Sequence, residues 1–292
     1  MRLSHNTASL NVYRGYSKAV QKQSDAMNKI SSGYKVNNAK DDPNVIAQSE
    51  RMRMQIRGLQ MAGKNAQDGV SMLQTAEGGL DSMTSMAQRI RELIVQAGNG
   101  ANTEEDKKTI QNEIDQMIDG IDDIAKTTEF NGIKLLAEDK ILEMPIGANA
   151  GESVKIPQFA LSSDKVGTDM TNTLQSIRSA NKNDGTIGVN NIVDNSIDKA
   201  LEIVDRSLDK IVSVRSKYGA LENRFEGGLQ DINEISDIMD GADSNLRDAD
   251  IAVEMAELAK NNILAEAGNA MMVQTNKFPQ DVLRILENVR SK

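Results

Sequence analysis

Few residues in this chain are suited to chemistry. The one histidine, His5, stands near the start of the sequence with no ligand set beside it, so neither a general base with an orienting partner nor a metal centre is expected there. Cysteine is absent, which removes disulfides, thiolate metal sites and thiol nucleophiles together. Asp240-Gly241-Ala242-Asp243-Ser244-Asn245 carries oxygen donors in the manner of a calcium loop. Its ligand order and glycine position do not match an EF-hand, and a turn between helices suits it better. No phosphate loop, dinucleotide fingerprint or HExxH pair occurs. Arg215, Glu222 and Ser236 are polar positions inside an apolar seven-residue stripe, where such groups fix helix register rather than catalyse. The sequence therefore offers no catalytic, cofactor-binding or metal-ligating residues, and the expectation is a protein that is not an enzyme.

Composition narrows the alternatives. Aromatic residues make up 3% of the 292 and tryptophan is absent, so the interior has to be built from aliphatic side chains and methionine. That suits narrow seams between helices better than a thick globular centre. A net charge of −9 gives no excess of cations to neutralise phosphates, so no nucleic-acid partner is expected, and anionic membranes are disfavoured for the same reason. The start, MRLSHNTASLNVYRGYS, lacks the apolar core of a cleaved secretory signal, and no apolar run is long enough to span a bilayer. Either the protein is cytosolic or it leaves the cell by a route that reads no such signal.

The elements themselves are legible from heptads. Leu59, Ala66, Leu73, Leu80, Ala87 and Ile94 recur every seven residues, with Ala62, Gly69, Ala76, Met83, Ile90 and Ala97 in the second seam position. This predicts one helix from about Asn44 to Gly98, roughly 80 Å long at 1.5 Å per residue. Thr103 with Glu104 to Asp106 should cap a shorter helix carrying Ile110, Ile114, Met117, Ile121 and Ile124, folded back antiparallel on the first. Ile197, Val204, Ile211, Tyr218, Phe225, Ile232 and Met239 mark another long helix, and Gly241-Ala242-Asp243 reads as its end.

At the termini the seam is thinner. Tyr13, Val20, Met27 and Tyr34 are seven apart, with Tyr16, Gln23 and Ile30 between them, until SSGYKVNNAKDDP breaks the helix at 31 to 43. From about Ala249, Leu264, Met271, Phe278 and Ile285 repeat the spacing, with Pro279 expected to kink the helix or begin a last segment. Between about 130 and 190 the period is lost, and Asn131-Gly132 with scattered Gly and Pro predicts hairpins and loops. The fold class is mainly α: a long coiled-coil bundle of paired N- and C-terminal segments with a small hairpin insert. Two thin terminal helices cannot bury both of their faces on one another, so other copies of the chain are the expected partner.

Beyond the period, specific stretches match. SSGYKVNNAKDDP, ERMRMQIRGL, QDGVSMLQTAEGGL, QRIRELIVQAGNG and TEFNGIKLL resemble the amino-terminal half of bacterial flagellin. VSVRSKYGALENRFE, NLRDADIAVEMA and VQTNKFPQDVLRIL resemble its carboxy-terminal half. The resemblance implies an inner coiled-coil domain from 1–43 with 249–292 and an outer helical domain over 44–248. It also implies a mechanical function: a subunit exported unfolded by a type III apparatus and assembled at the tip into a helical homopolymer, the extracellular flagellar filament. The implied partners are the chain itself, the flagellar cap, junction proteins and an export chaperone. A vertebrate Toll-like receptor is a further one, whose contact maps onto Arg89, Leu93 and Glu113, residues that axial packing between subunits would also use. A hook-filament junction protein is the near alternative, and a discrete secreted coiled-coil effector the one from another class.

Overall fold

The computed structural model describes residues 6–169, 172–179, 190–193 and 196–290; His5 lies outside them. The chain is mainly α, as its periodicity predicts. Helices α1 (Thr7–Ser32), α2 (Pro43–Ala97) and α3 (Glu104–Thr127) precede the insert, and α4 (Ile197–Arg247) and α5 (Ile251–Arg290) follow it. Among its described residues the insert holds three antiparallel two-stranded pairs. They are β1 (Glu129–Phe130) with β2 (Ile133–Lys134), β3 (Ile141–Pro145) with β4 (Ser153–Pro157), and β5 (Gly167–Asp169) with β6 (Asn172–Thr173), followed by a 3-10 turn at Leu174–Ile177. Two compact units result, one of residues 56–236 and one of residues 1–55 with 237–292. They divide inside α2 and α4, whereas the boundaries read from sequence, 43/44 and 248/249, fall at the connections between helices.

In the first unit the long seam of α2 is buried at every position, from Leu59 at 8% exposure to Ala87, Ile90 and Ile94 at zero. The two interleaved heptads lie on one face because 3.6 residues per turn brings steps of three and four back to the same side. Helix α3 starts at a reciprocal cap: the Asp106 backbone N–H donates to Thr103 Oγ1 at 3.2 Å and the Thr103 backbone N–H to Asp106 Oδ2 at 3.0 Å. It runs antiparallel to α2, since Thr128 packs by Gly79, Gly120 by Met86 and Glu113 by Arg89. Tyr218 and Phe225 of α4 complete this core at 2% and 1% exposure. Asn131 (φ 49°) and Gly132 (φ 79°) form the turn of the first hairpin, where an Asn-Gly pair accommodates two left-handed residues.

The insert is fastened to α3 by a row of polar side chains. Gln111, 2% exposed, donates from Nε2 to the Ile177 carbonyl at 2.8 Å and accepts from the Ile192 N–H at 3.1 Å. One turn on, Asp115 accepts from the Ser179 N–H at 3.2 Å, and Asp119 pairs with Arg178 at 2.8 Å. Asp122 takes both the N–H and the hydroxyl of Ser163. Irregular backbone laid over a helix needs donors and acceptors from outside itself, and this stripe supplies them.

In the second unit α1 and α5 lie antiparallel: Asn6 meets Thr275, Tyr16 meets Gly268, and Lys29 pairs with Glu254 at 3.0 Å. Gly33 ends α1 at φ 76°, a left-handed cap whose N–H returns to the Lys29 carbonyl at 2.8 Å. The two connections then tie together, Lys35 N–H donating to the Arg247 carbonyl at 2.7 Å and Ala249 N–H to the Gly33 carbonyl at 2.9 Å. The Tyr34 ring lies 4.7 Å from the Arg247 guanidinium, and Arg53 bonds both the Tyr34 hydroxyl and, at 3.2 Å, the Asp243 carboxylate.

Two expectations are corrected here. Gly241-Ala242-Asp243 does not end α4, which continues to Arg247 and breaks only at Asp248–Asp250. Asp243 is 7% exposed and paired with the partly exposed Arg53 at 3.2 Å, a tie that anchors the last turns of α4 despite the glycine. Of the two expectations for Pro279, the start of a new segment is overturned, because the helix runs through it. Proline removes the donor that the carbonyl four residues back requires. That carbonyl, of Thr275, is taken instead by Asn6 Nδ2 at 3.0 Å.

Candidate interaction surfaces

On α1 the residues turned inward are Val12, Tyr16, Ala19, Gln23, Ala26 and Ile30, spaced alternately four and three. Ala19 and Ala26 are the most buried, at 6% and 4%. On α5 the inward line is Leu258, Asn261, Ala265, Gly268, Met272 and Thr275, with Asn261 at 1%. The seam inside the molecule is therefore made largely of small and polar residues. A Cβ on Gly268 would stand 3.3 Å from Tyr16, so the helices approach closely there.

The large residues that the heptad reading put in this seam lie one position away from it. Tyr13 is 56% exposed and Met27 55%, with Val20 also exposed and Tyr34 partly buried in the joint described above. On α5, Leu264, Met271 and Phe278 are 50%, 51% and 59% exposed, while the Ile285 side chain lies outside the described residues. Of the sequence reading, Tyr16, Gln23 and Ile30 are in the seam, but the leading series on both helices is out of it. What the reading missed is Ala19, Ala26, Asn261 and Gly268; the available signal was their own seven-residue spacing, masked by larger neighbours. Leu264 and Met271 stand beside a groove of about 450 Å³ that Gly15, Ala19 and Gly268 also line. Tyr13, Val20 and Met27 on α1 and Leu264, Met271 and Phe278 on α5 thus form aligned apolar exposure of the kind that marks an interaction surface, unlike the single scattered apolar residues of an ordinary surface.

Arg89 of α2 is half exposed and reaches Glu113 of α3 at 2.9 Å and Glu92 at 3.1 Å. These hydrogen bonds, to Glu113 first, raise the affinity of the Arg89 guanidinium for its proton. Leu93, placed with them by the sequence, is fully buried in the α2 seam and presents nothing at the surface. Among the described residues no group of three or more His, Asp or Glu side chains stands together as a metal site, and no described helix is long and apolar enough to cross a membrane.

Known proteins resolve what such exposed stripes belong to. The bacterial flagellin N-terminal helical region matches residues 3–140, and the bacterial flagellin C-terminal helical region matches residues 201–286. A flagellin of Bacillus subtilis is 40% identical across 98% of this chain and 100% of its own length. This chain belongs to the flagellin family.

A flagellin of Halalkalibacterium halodurans is 37% identical over 98% of this chain and all of its own, and a flagellar filament core protein of Treponema maltophilum is 34% identical over the same shares. Among solved structures, a putative flagellar hook-associated protein from Vibrio parahaemolyticus covers 71% of this chain and all of itself with a TM-score of 0.59. At 14% identity that likeness is one of fold alone. As a flagellin the chain is a structural subunit of the bacterial flagellar filament, not an enzyme, and it assembles with copies of itself. The β1–β2 hairpin falls inside the N-terminal match, and β3 to β6 lie between the two matched regions.

Proposed function

We propose that the exposed apolar lines of α1 and α5 are the contacts by which each flagellin subunit joins its neighbours. The observation that carries this is their offset of one residue from the internal seam, with Tyr13, Val20 and Met27 on one helix and Leu264, Met271 and Phe278 on the other left in solvent. A heptad line needs a facing helix, and among the described residues none covers these. A heterologous contact of this kind repeats without closing on itself, which is the geometry of a helical filament. On this reading 1–43 with 249–292 form an inner coiled-coil domain and 44–248 an outer one. The subunit is exported unfolded by a type III apparatus and added at the filament tip beneath the cap, outside the cell. An export chaperone and junction proteins are its other partners, each meeting the same terminal helices.

The Arg89–Glu113 pair supplies a second contact on the outer part, used for packing between subunits and for recognition by a vertebrate Toll-like receptor. Leu93 is left out of that contact because it fills the core.

The test is seeded elongation. Full-length monomer mixed with filament fragments should grow fibres visible by electron microscopy, and Val20→Glu or Met271→Glu should stop growth while leaving monomer helicity and melting unchanged. Persistence of the wild-type chain as monomer or a discrete oligomer under those conditions would instead support a soluble coiled-coil effector.

A further inference from the structure

Within residues 56–236, α2 and α4 enclose an open groove of about 610 Å³ that no other element fills. Gly63, Leu229 and Ile232 give it an apolar lining, and Met61, 56% exposed, stands at its edge. Arg57 and Lys64 also line it, seven residues apart and so about 10 Å along one side of α2. Among the described residues neither forms an ion pair. The groove thus presents a greasy floor beneath two unneutralised cations.

The reverse character lies on the other side of α4. Asp231, Glu234 and Ile235 are exposed, Ile235 by 48%, and among the described residues neither acid is in an ion pair. At about 100° per residue this patch is centred about 160° around the helix from the groove residues Leu229, Ile232, Asn233 and Ser236. The groove, whose cations come from α2, and the acidic patch on the far side of α4 face nearly opposite ways and cannot meet each other in the same molecule. They can meet between molecules placed side by side.

We propose that the Asp231/Glu234/Ile235 patch of one subunit docks laterally in the Arg57/Lys64 groove of the next, Ile235 entering beside Met61 and the acids facing the two cations. The occupant is a second copy of this chain, argued from charge and from the placement of both halves of the contact on every copy. The inference rests on the filament reading above but assigns a different, lateral contact, carried by other residues than the terminal lines. Because donor and acceptor faces differ, each added copy exposes a fresh one, so the contact propagates in one direction around the assembly. Long-range attraction between the faces also makes it sensitive to salt.

The experiment uses full-length protein in seeded elongation, with three variants carrying R57E/K64E, D231K/E234K, or all four changes. All the sites are exposed or line an open groove, and a circular dichroism melt matching wild type certifies the fold of each. Each double variant should elongate on its own at least about tenfold more slowly than wild type. The quadruple variant, whose faces again carry opposite charge, should recover most of that rate, and salt should slow wild type and the quadruple alike. Double variants growing at the wild-type rate, or a quadruple variant as slow as the doubles, would overturn the lateral contact. Wild type that fails to elongate would overturn the filament reading instead, so the two failures are distinguishable.

Discussion

Asn6 stands against the carbonyl that Pro279 deprives of its helical donor. Its Nδ2 donates to the Thr275 oxygen at 3.0 Å while its Oδ1 accepts from the Ser9 N–H at 3.1 Å, so one carboxamide both caps α1 and repairs α5. Asn6→Asp keeps the acceptor and loses the donor, whereas Asn6→Ala loses both. Amide exchange should therefore quicken in the first turn of α1 only for the alanine variant, and near Thr275 for either. The cap contributes about 1 kcal/mol. In the background of Pro279→Ala, which returns the helical N–H, the Asn6→Asp penalty should shrink, and a double-mutant cycle would read the coupling.

Neighbouring glycines of α2 should behave oppositely. A Cβ on Gly79 would stand 2.8 Å from Thr128 Oγ1 and 3.1 Å from Leu136, while Gly78 has nothing within 4 Å. Gly79→Ala should cost about 1–3 kcal/mol through overpacking, and Gly78→Ala should stabilise by roughly 0.5–1 kcal/mol because alanine orders more cheaply in a helix. Urea titration of the two variants separates them.

Asp122 ties α3 to the insert twice, accepting from the Ser163 N–H at 2.7 Å and its hydroxyl at 2.8 Å with both residues buried. Asp122→Ala should cost about 3 kcal/mol, since charge-assisted bonds are lost and a buried N–H is left without a partner. Proteolysis should then cut the insert before the helices.

Burial pushes the Tyr218 hydroxyl up to about 12, against a smaller opposing effect of a hydrogen bond with the Phe159 backbone. Between about pH 10 and that value the folded chain keeps a proton that the unfolded chain has lost. This contribution is thus fully present below pH 10 and is lost as pH rises towards 12. Alkaline melting should fall less steeply for Tyr218→Phe, and the ultraviolet tyrosinate titration should lose its last step.

Much of this architecture was legible because some helices see only partners within the chain. Every α2 position assigned to the seam, from Leu59 to Ala97, is buried, and Ile114 and Ile121 of α3 are fully so. The Thr103 cap and the Asn131-Gly132 turn are local chemistry and form as read. On α1 and α5 the same rule misplaced the internal seam by one residue, because periodicity reports the face that wants a neighbour and not where that neighbour comes from. Ala19 and Gly268 carry the internal contact through closeness, which hydrophobicity does not advertise. Leu93 failed as a surface residue for the converse reason: a motif names residues without saying which of them point inward. Asp243, separated from Arg53 by most of the chain, was invisible to any local reading.

The clasp between the tails of each molecule runs partly through the methyl groups of Ala19 and Ala26 and the bare backbone of Gly268, where Tyr16 lies 3.3 Å from the place a Cβ would take. Such a fit admits no thickening: a bulkier residue at Gly268 has to push α1 and α5 apart, and the outer apolar lines that ride on them are carried along with it.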